Sequence, residues 1–326
     1  MLEAIVRFSI RQRAVVLILT LFFAGFAVYQ ALQLPIDAVP DITNKQVVIN
    51  AIAPGLSAQE VERQITFPVE LGLAGLPYLK EIRSSSIFGL SQVTVVFEDS
   101  VDIYFARQLV GERLQAIQGE LPPGVRAEMG PVSTGLGELA HIEVRNPRLS
   151  LMERATLADW VVRPQLLTVP GLAEVTRWGG ETRQFQVQVD PRKLEAYGIT
   201  LREVVDALQN NNLNAGGAYL LRGSQQALVR GVGQLTGVED LQRVVVKTQH
   251  GVPITLAQIA RITEAPAVRY GAMTQNGEGE QVYVLALLLI GENRRIVIER
   301  VKEKLLAIEK SLPAGTKLIP HLERSK

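Results

Sequence analysis

Residues Ala14 to Leu32, AVVLILTLFFAGFAVYQAL, carry no charge and only Thr20, Tyr29 and Gln30 as polar interruptions. As a helix rising 1.5 Å per residue, the run is roughly 28 Å long, close to the hydrocarbon thickness of a bilayer. Arg7, Arg11 and Arg13 precede it, while Pro35, Asp37, Pro40 and Asp41 follow. Positive charge stays with the cytosol, so the short N-terminus is expected inside and the long remainder outside. A cleaved signal peptide competes, with Gly25-Phe-Ala27 as a small-x-small site. The apolar run continues past that site to Leu32, beyond the usual h-region of about 7–15 residues, which favours a retained anchor over 14–34. Residues 1–13 (MLEAIVRFSIRQR) put Leu2, Ile5, Val6 and Ile10 near one helical face. That is the pattern of a short amphipathic helix at the inner membrane surface.

Beyond the span the chain must fold in water, and its composition narrows what it does there. Lys plus Arg total 34 against 33 for Asp plus Glu, so no global field recruits nucleic acid or anionic lipid. There is no cysteine, which excludes a disulfide framework and thiolate metal sites. The three histidines (His141, His250, His321) include no pair at metal-ligand spacing. Apart from the initiator, Met129, Met152 and Met273 are widely separated, so no thioether cage for a soft monovalent metal is visible.

The order of elements repeats. Gln46–Ile52 reads as a strand, and Ser57-Ala-Gln-Glu60 as a capping box opening a helix with Val61, Ile65 and Val69 inward, kinked at Pro68. Strands follow at Lys80–Ser86 and Gln92–Phe97, turned at Phe88-Gly89. A helix from Val101 to about Gly119, with Phe105, Leu109, Leu114 and Ile117 inward, ends at Leu121-Pro-Pro-Gly124 before a closing strand at Val125–Met129. This β-α-β-β-α-β order is the split βαβ, or ferredoxin-like, pattern. It then begins again: a strand at Leu139–Val144, a Ser150-Leu-Met-Glu153 capping box, and a helix to about Thr168. Val169-Pro-Gly-Leu-Ala-Glu-Val175 matches Leu76-Pro-Tyr-Leu-Lys-Glu-Ile82 in character. Far downstream come an apolar strand at Val282–Ile290, a helix at Glu292–Lys310, an echoing Leu312-Pro-Ala-Gly315 and a strand at Lys317–Ile319. The run at 282–290 is too short to span a membrane as a helix and reads as a fully buried strand.

The interruption, roughly Gly180 to Ala267, is long enough to be a small domain. It offers a strand at Phe185–Val189, a helical turn at Asp190-Pro191 and a capping box at Thr200-Leu-Arg-Glu203. Two short runs, Ala218–Leu221 and Ala227–Val232, among Asn, Gly and Ser fit a projecting hairpin made to touch something else, with an ordinary surface loop as the bland alternative.

Catalytic constellations are scarce. No G-x-S-x-G elbow, P-loop or H-E-x-x-H occurs. Gly135-Leu-Gly137-Glu-Leu-Ala140 fits G-x-G-x-x-A but precedes a strand, so a hinge between the repeats is the better reading. Glu138 and Glu174 remain as metal candidates: they begin the first and second strands of the second repeat and offer one cleft hard oxygen ligands for a divalent cation. The competing reading solvates them or pairs them with Arg177 or Arg183. His141 is three residues from Glu138, and strict alternation puts the two on opposite faces, which makes His141 structural. His321 stays undecided. An acid–base hydrolase built on Glu138 and Glu174 lacks any nucleophile or tuning group.

Several stretches together resemble the start of a resistance–nodulation–division efflux transporter. They are Leu34-Pro-Ile-Asp-Ala-Val-Pro-Asp-Ile-Thr43, Ala53-Pro-Gly-Leu-Ser57, Gln64-Ile-Thr-Phe-Pro68, Tyr104-Phe-Ala-Arg107, Gly130-Pro-Val-Ser-Thr-Gly-Leu-Gly-Glu138, Ala196-Tyr-Gly-Ile199 and Asn276-Gly-Glu-Gly-Glu280. Asp-Ala-Val-Pro-Asp and Gly-Leu-Gly-Glu are most similar to the heavy-metal branch, the cobalt–zinc–cadmium pumps. The resemblance implies an α+β architecture of one transmembrane helix and two ferredoxin-like porter subdomains, 38–131 and 132–180 with 268–326. A docking subdomain, 181–267, interrupts the second, and its hairpin is the arm that reaches a neighbouring protomer. It further implies a homotrimer in the bacterial inner membrane, a periplasmic adaptor, an outer-membrane channel, and zinc, cobalt or cadmium as cargo, with no cofactor, no nucleic acid and no enzyme activity. Family members run to about a thousand residues, so a chain ending at Lys326 is expected to lack the proton relay and not to transport alone. A stand-alone single-span metal sensor or scaffold is the alternative.

Overall fold

The computed structural model describes residues 10–33, 43–133, 137–222, 225–269 and 271–323. The expected amphipathic helix at 1–13 and the Gly135-Leu-Gly137 hinge lie largely outside them, as does the proline-marked exit at 34–41. Helix α1, Arg13–Gln33, has 21 residues. Its window Arg13–Gln30 has a mean hydropathy of 1.8 and is 0% buried, so by length and composition it is able to cross a membrane. Leu17, Leu21, Phe22 and Phe26 all face outward, an arrangement that water penalises and lipid does not. Thr20 Oγ1 donates to the Val16 carbonyl at 2.8 Å, satisfying its hydroxyl within the helix.

The chain divides into two compact units: Met1–Arg145 with Asp159–Trp178 and Tyr283–Lys326, and Asn146–Ala158 with Gly179–Val282. In the first, β1 (Gln46–Ile52) buries Val47, Ile49 and Ala51 at every second residue. Ser57 caps α2 (Ala58–Val61): its N–H donates to Glu60 Oε2 at 2.8 Å and its hydroxyl accepts from the Glu60 N–H at 3.4 Å. The helix widens into a π turn, Glu62–Thr66, then continues as α3 (Phe67–Leu73). Pro68 accounts for this, since it has no N–H for the Gln64 carbonyl and its ring crowds that oxygen. The expected kink is therefore a widening, and Val61, Ile65, Val69 and Leu73 stay buried along one stripe.

The hairpin of β2 (Leu79–Ile87) and β3 (Leu90–Phe97) turns at Gly89, φ +72°. Asp102 then caps α4 (Ile103–Ile117), accepting from the N–H groups of Tyr104 and Phe105. The buried stripe is Ile103, Ala106, Val110, Leu114 and Ile117. Phe105, expected inward, is 44% exposed, because the stripe begins at Ile103 and leaves it off the i, i+3, i+4 positions. With β4 (Ala127–Met129) the sheet has the order β2-β3-β1-β4, antiparallel throughout.

The next elements are β5 (Glu138–Arg145), α5 (Leu151–Leu157) behind its Ser150–Glu153 capping box, and a second π turn, Ala158–Val162. That turn precedes Pro164 in α6 (Arg163–Leu166), as the first precedes Pro68, and β6 (Leu172–Gly179) follows. The chain then makes β7 (Arg183–Val189), α7 (Pro191–Ala196), α8 (Leu201–Asn210) and the exposed hairpin β8 (Ala215–Arg222) and β9 (Gln225–Gly231). After α9 (Val238–Arg243) come β10 (Val245–Gln249), β11 (Val252–Thr255), α10 (Leu256–Ile259) and β12 (Ala260–Pro266). The second compact unit buries Ile199, Val204, Leu241, Ile254, Leu256 and Ile259 as its own core. Short β13 (Met273–Thr274) leads to β14 (Glu280–Leu288), α11 (Arg294–Glu309) and β15 (Lys317–Glu323). The expected apolar strand is β14, with Gln281 to Ala286 all buried. The order β6-β14-β5-β15 repeats that of the first sheet.

Candidate functional site

Two bulges in the second sheet decide which side chains meet. Between β5 and β14, Ala140 pairs with Ala286 and Glu138 with Leu287, leaving Leu139 as the extra residue. The bulge reverses the alternation at that point and brings Glu138 and His141 to one face, with Glu138 Oε2 3.3 Å from His141 Nε2. The expectation that the two lie on opposite faces is thereby corrected. It assumed an unbroken ladder, which the extra residue interrupts. His141 also stands near Trp178, with ring centroids 6.4 Å apart.

The second bulge lies between β5 and β15, where Ile142 pairs with Pro320 and His141 with Leu322, so His321 is the residue in excess. Its Nε2 donates to Glu143 Oε2 at 2.6 Å, while Arg145 Nε donates to Oε1 at 2.7 Å. Glu143 is 0% exposed, so these donors answer the desolvation of a buried carboxylate. Burial alone raises the Glu143 carboxyl; the bonds and charges of Arg145 and His321 outweigh it and hold the group below its ordinary value. The Tyr283 ring lies 5.7 Å from that of His321.

Glu138 is the first residue of β5, and its carbonyl accepts from buried Arg294 Nη1 at 2.9 Å. Glu174 is on β6. The two strands flank β14, so their backbones are two strand spacings apart, roughly 9.5 Å. Glu138 pairs with Leu287, and the Leu289 N–H donates to the Gly171 carbonyl at 2.9 Å, so both carboxylates belong to the same end of the sheet. Glu174 lines a cavity of 720 Å³ together with Arg107, Arg126 and Glu128, and Glu138 is not among its lining residues. Arg107 Nη1 donates to the Gly130 carbonyl at 2.8 Å. Burial draws the Arg107 guanidinium below its ordinary value, against a smaller opposing effect of Tyr104.

Of the arginines expected to compete for the two carboxylates, Arg177 bonds Asp159 at 2.9 Å and Arg183 bonds Glu264 at 2.6 Å. Among the described residues no three His, Cys, Asp or Glu side chains form a group able to hold a metal ion. Glu138 and Glu174 are therefore two separate carboxylates, on the two strands that flank β14. Sequence reasoning missed His321 as a partner of Glu143, although Pro320 beside it is a signal, since proline inside a sheet marks an edge or a bulge. It also missed Arg126, which carries no local pattern.

Residues 5–326 match the model of the AcrB/AcrD/AcrF family. Protein HelA of Legionella pneumophila is 46% identical over 100% of this chain and 32% of its own length. The cobalt-zinc-cadmium resistance protein CzcA of Cupriavidus metallidurans is 43% identical over 100% of this chain and 31% of its own. A crystal structure of a heavy metal efflux pump superposes with a TM-score of 0.88 at 34% identity, covering 97% of this chain and 32% of that one. The chain thus spans about a third of the length of the relatives it matches. On these grounds the chain belongs to the AcrB/AcrD/AcrF family, in the heavy-metal branch of the resistance–nodulation–division transporters.

Proposed function

We propose that the chain supplies the first span, two porter subdomains and the docking subdomain of a proton-driven pump that exports divalent heavy-metal cations. The observation that carries this reading is the doubled strand order, β2-β3-β1-β4 and β6-β14-β5-β15, with an insertion between β6 and β14 that has a hydrophobic core of its own. Each sheet is read as one split βαβ unit, with porter boundaries at 38–131 and at 132–180 with 268–326. Residues 181–267 then form the docking subdomain, whose hairpin β8–β9 contacts a neighbouring copy. The assembly is a homotrimer in the inner membrane, with its N-terminus cytosolic, working with a periplasmic adaptor and an outer-membrane channel. The names of the relatives, which include nickel, cobalt, zinc and cadmium resistance proteins, support a divalent cargo.

Glu138 and Glu174 are the cargo contacts within this chain. Both are hard oxygen donors at one end of the second sheet, and each requires further ligands from elsewhere in the pump. Their role is transient coordination along a path, not chemistry, and the relatives are likewise transporters and not enzymes. The test is metal sensitivity of cells that carry the complete gene with Glu138→Ala, Glu174→Ala or both. Lower zinc, cobalt or cadmium resistance at unchanged protein level is the expected result. Undiminished resistance in the double variant would remove both residues from the path.

A further inference from the structure

The cavity beside β4 gathers charges that the reading above leaves unused. Arg107 and Arg126 bring two guanidinium groups to its wall, and Glu128 and Glu174 two carboxylates. Among the described residues Arg126, Glu128 and Glu174 have no ion-pair partner, and Arg107 bonds only the Gly130 carbonyl. Four charged groups line one concavity without neutralising one another.

The balance of charge selects the ligand. A lone cation drawn to the carboxylates meets two guanidinium groups across the same space, and a lone anion meets the converse. A ligand that brings both signs satisfies both sets. Size permits it. The 720 Å³ cleft has room for a small organic molecule beside an ion. Each guanidinium is a planar fork matched to a carboxylate, and carboxylate oxygens suit a hard or borderline divalent cation.

We infer that this cavity binds a divalent metal ion together with a small carboxylate anion, the metal against Glu128 and Glu174 and the anion against Arg107 and Arg126. The inference rests on the transport reading and deepens it by naming the form in which cargo is held: an ion accompanied by an organic acid. Each component neutralises the repulsion that the other meets, so each tightens binding of the other by the same factor.

The test titrates zinc into the detergent-solubilised chain by calorimetry, with and without succinate, a weak zinc ligand. Succinate is expected to tighten zinc binding about tenfold or more, within the usual range of such couplings. Arg126→Ala should abolish most of the tightening and, by removing one of the charges that repel the cation, raise the affinity for zinc alone, with an unaltered melting temperature, since Arg126 is exposed. Arg107→Lys, which keeps a donor for Gly130 but loses the fork, should reduce the tightening. Equal zinc affinity with and without succinate, or full tightening in Arg126→Ala, overturns the inference. Glu174→Gln separates the two layers. If it leaves zinc binding untouched, the cargo role of Glu174 falls; if it weakens zinc while succinate has no effect in the parent chain, only the paired-ligand inference falls.

Discussion

Replacing Glu143 by Gln keeps the volume of the side chain and removes its charge, so the loss it causes is electrostatic. The parent carboxylate is 0% exposed and accepts from Arg145 Nε at 2.7 Å and His321 Nε2 at 2.6 Å. A carboxylate only accepts, so both nitrogens carry their protons here. Gln offers one oxygen, so one donor loses its acceptor and faces an amide N–H instead. A lost bond to a charged group is worth about 1.5–3 kcal/mol, and an unmatched buried donor about 1–3 kcal/mol. Arg145 and His321 are 39% and 30% exposed, so water relieves part of the second penalty, and we expect a net loss of about 3 kcal/mol at pH 7. The assay is urea unfolding followed by near-UV circular dichroism, with hydrogen exchange on β15, which among the described residues is paired with β5 alone. Local opening by that amount speeds exchange at residues 317–323 by a factor on the order of a hundred. The pH dependence fixes the cause. The folded Glu143 carboxyl is depressed, so its contribution is full above the unfolded value near 4.3 and is lost as pH falls through the lower folded value. Gln does not titrate, so the gap between parent and variant should narrow below that range. A gap equally wide at pH 7 and pH 3, or one under about 1 kcal/mol at pH 7, would refute this account.

Three backbone and core substitutions test the repeat itself. Gly171 has φ +99°, and a Cβ there would meet Val297 Cγ2 at 2.5 Å, so Gly171→Ala should lower unfolding stability by about 2–4 kcal/mol through left-handed strain and overpacking. Tyr78 occupies the matching place in the first repeat at φ +62° and is 54% exposed. Tyr78→Gly should therefore be neutral or stabilising by up to about 1 kcal/mol, relieved strain being partly offset by glycine's larger unfolded entropy, and a clear loss in denaturant melts would contradict it. Thr66, 2% exposed in the first π turn, shares its hydroxyl with Ser86 and Ser91 at 2.7 Å each. Thr66→Val should cost about 1–3 kcal/mol while Thr66→Ser costs less, and equal losses in calorimetry would rule out the hydroxyl as the cause.

Local chemistry is what a sequence carries most plainly. The capping boxes at Ser57, Ser150 and Thr200 form as their spacing requires, because each is complete within four residues. The alternating strand Gln46–Ile52 and the buried run at 282–286 are legible for the same reason: their pattern states which faces are covered. The π turns are half legible, since Pro68 and Pro164 announce a disturbance without saying that the helix widens. The pairings of the site are not local. Glu138 meets His141 only because β14 sets one residue against two of β5, and Glu143 meets His321 across 178 positions. A bulge is a property of two strands together, and nothing in residues 138–141 alone reveals it.

The doubled topology also explains how the second repeat accommodates its long insertion. In the first sheet the second and third strands are joined by the Phe88-Gly89 turn. The corresponding junction, from β6 to β14, admits the whole segment from Gly180. Within that segment β7 and β12 pair in unbroken register from Arg183↔Pro266 to Val189↔Ala260, and the Ala267 N–H donates to the Thr182 carbonyl at 2.8 Å. Entry and exit of residues 182–267 are thus fastened to each other by the insertion's own hydrogen bonds. Lengthening a closed loop is cheap, about 0.6 kcal/mol per doubling, and here the closure is made inside the segment instead of being charged to the register of β6 on β14. Its separate core of Ile199, Leu241, Leu256 and Ile259 supplies the driving force for that folding. A hairpin tip in one copy and a domain in the other are therefore the same topological position, differing only in whether the inserted chain can bury apolar surface of its own.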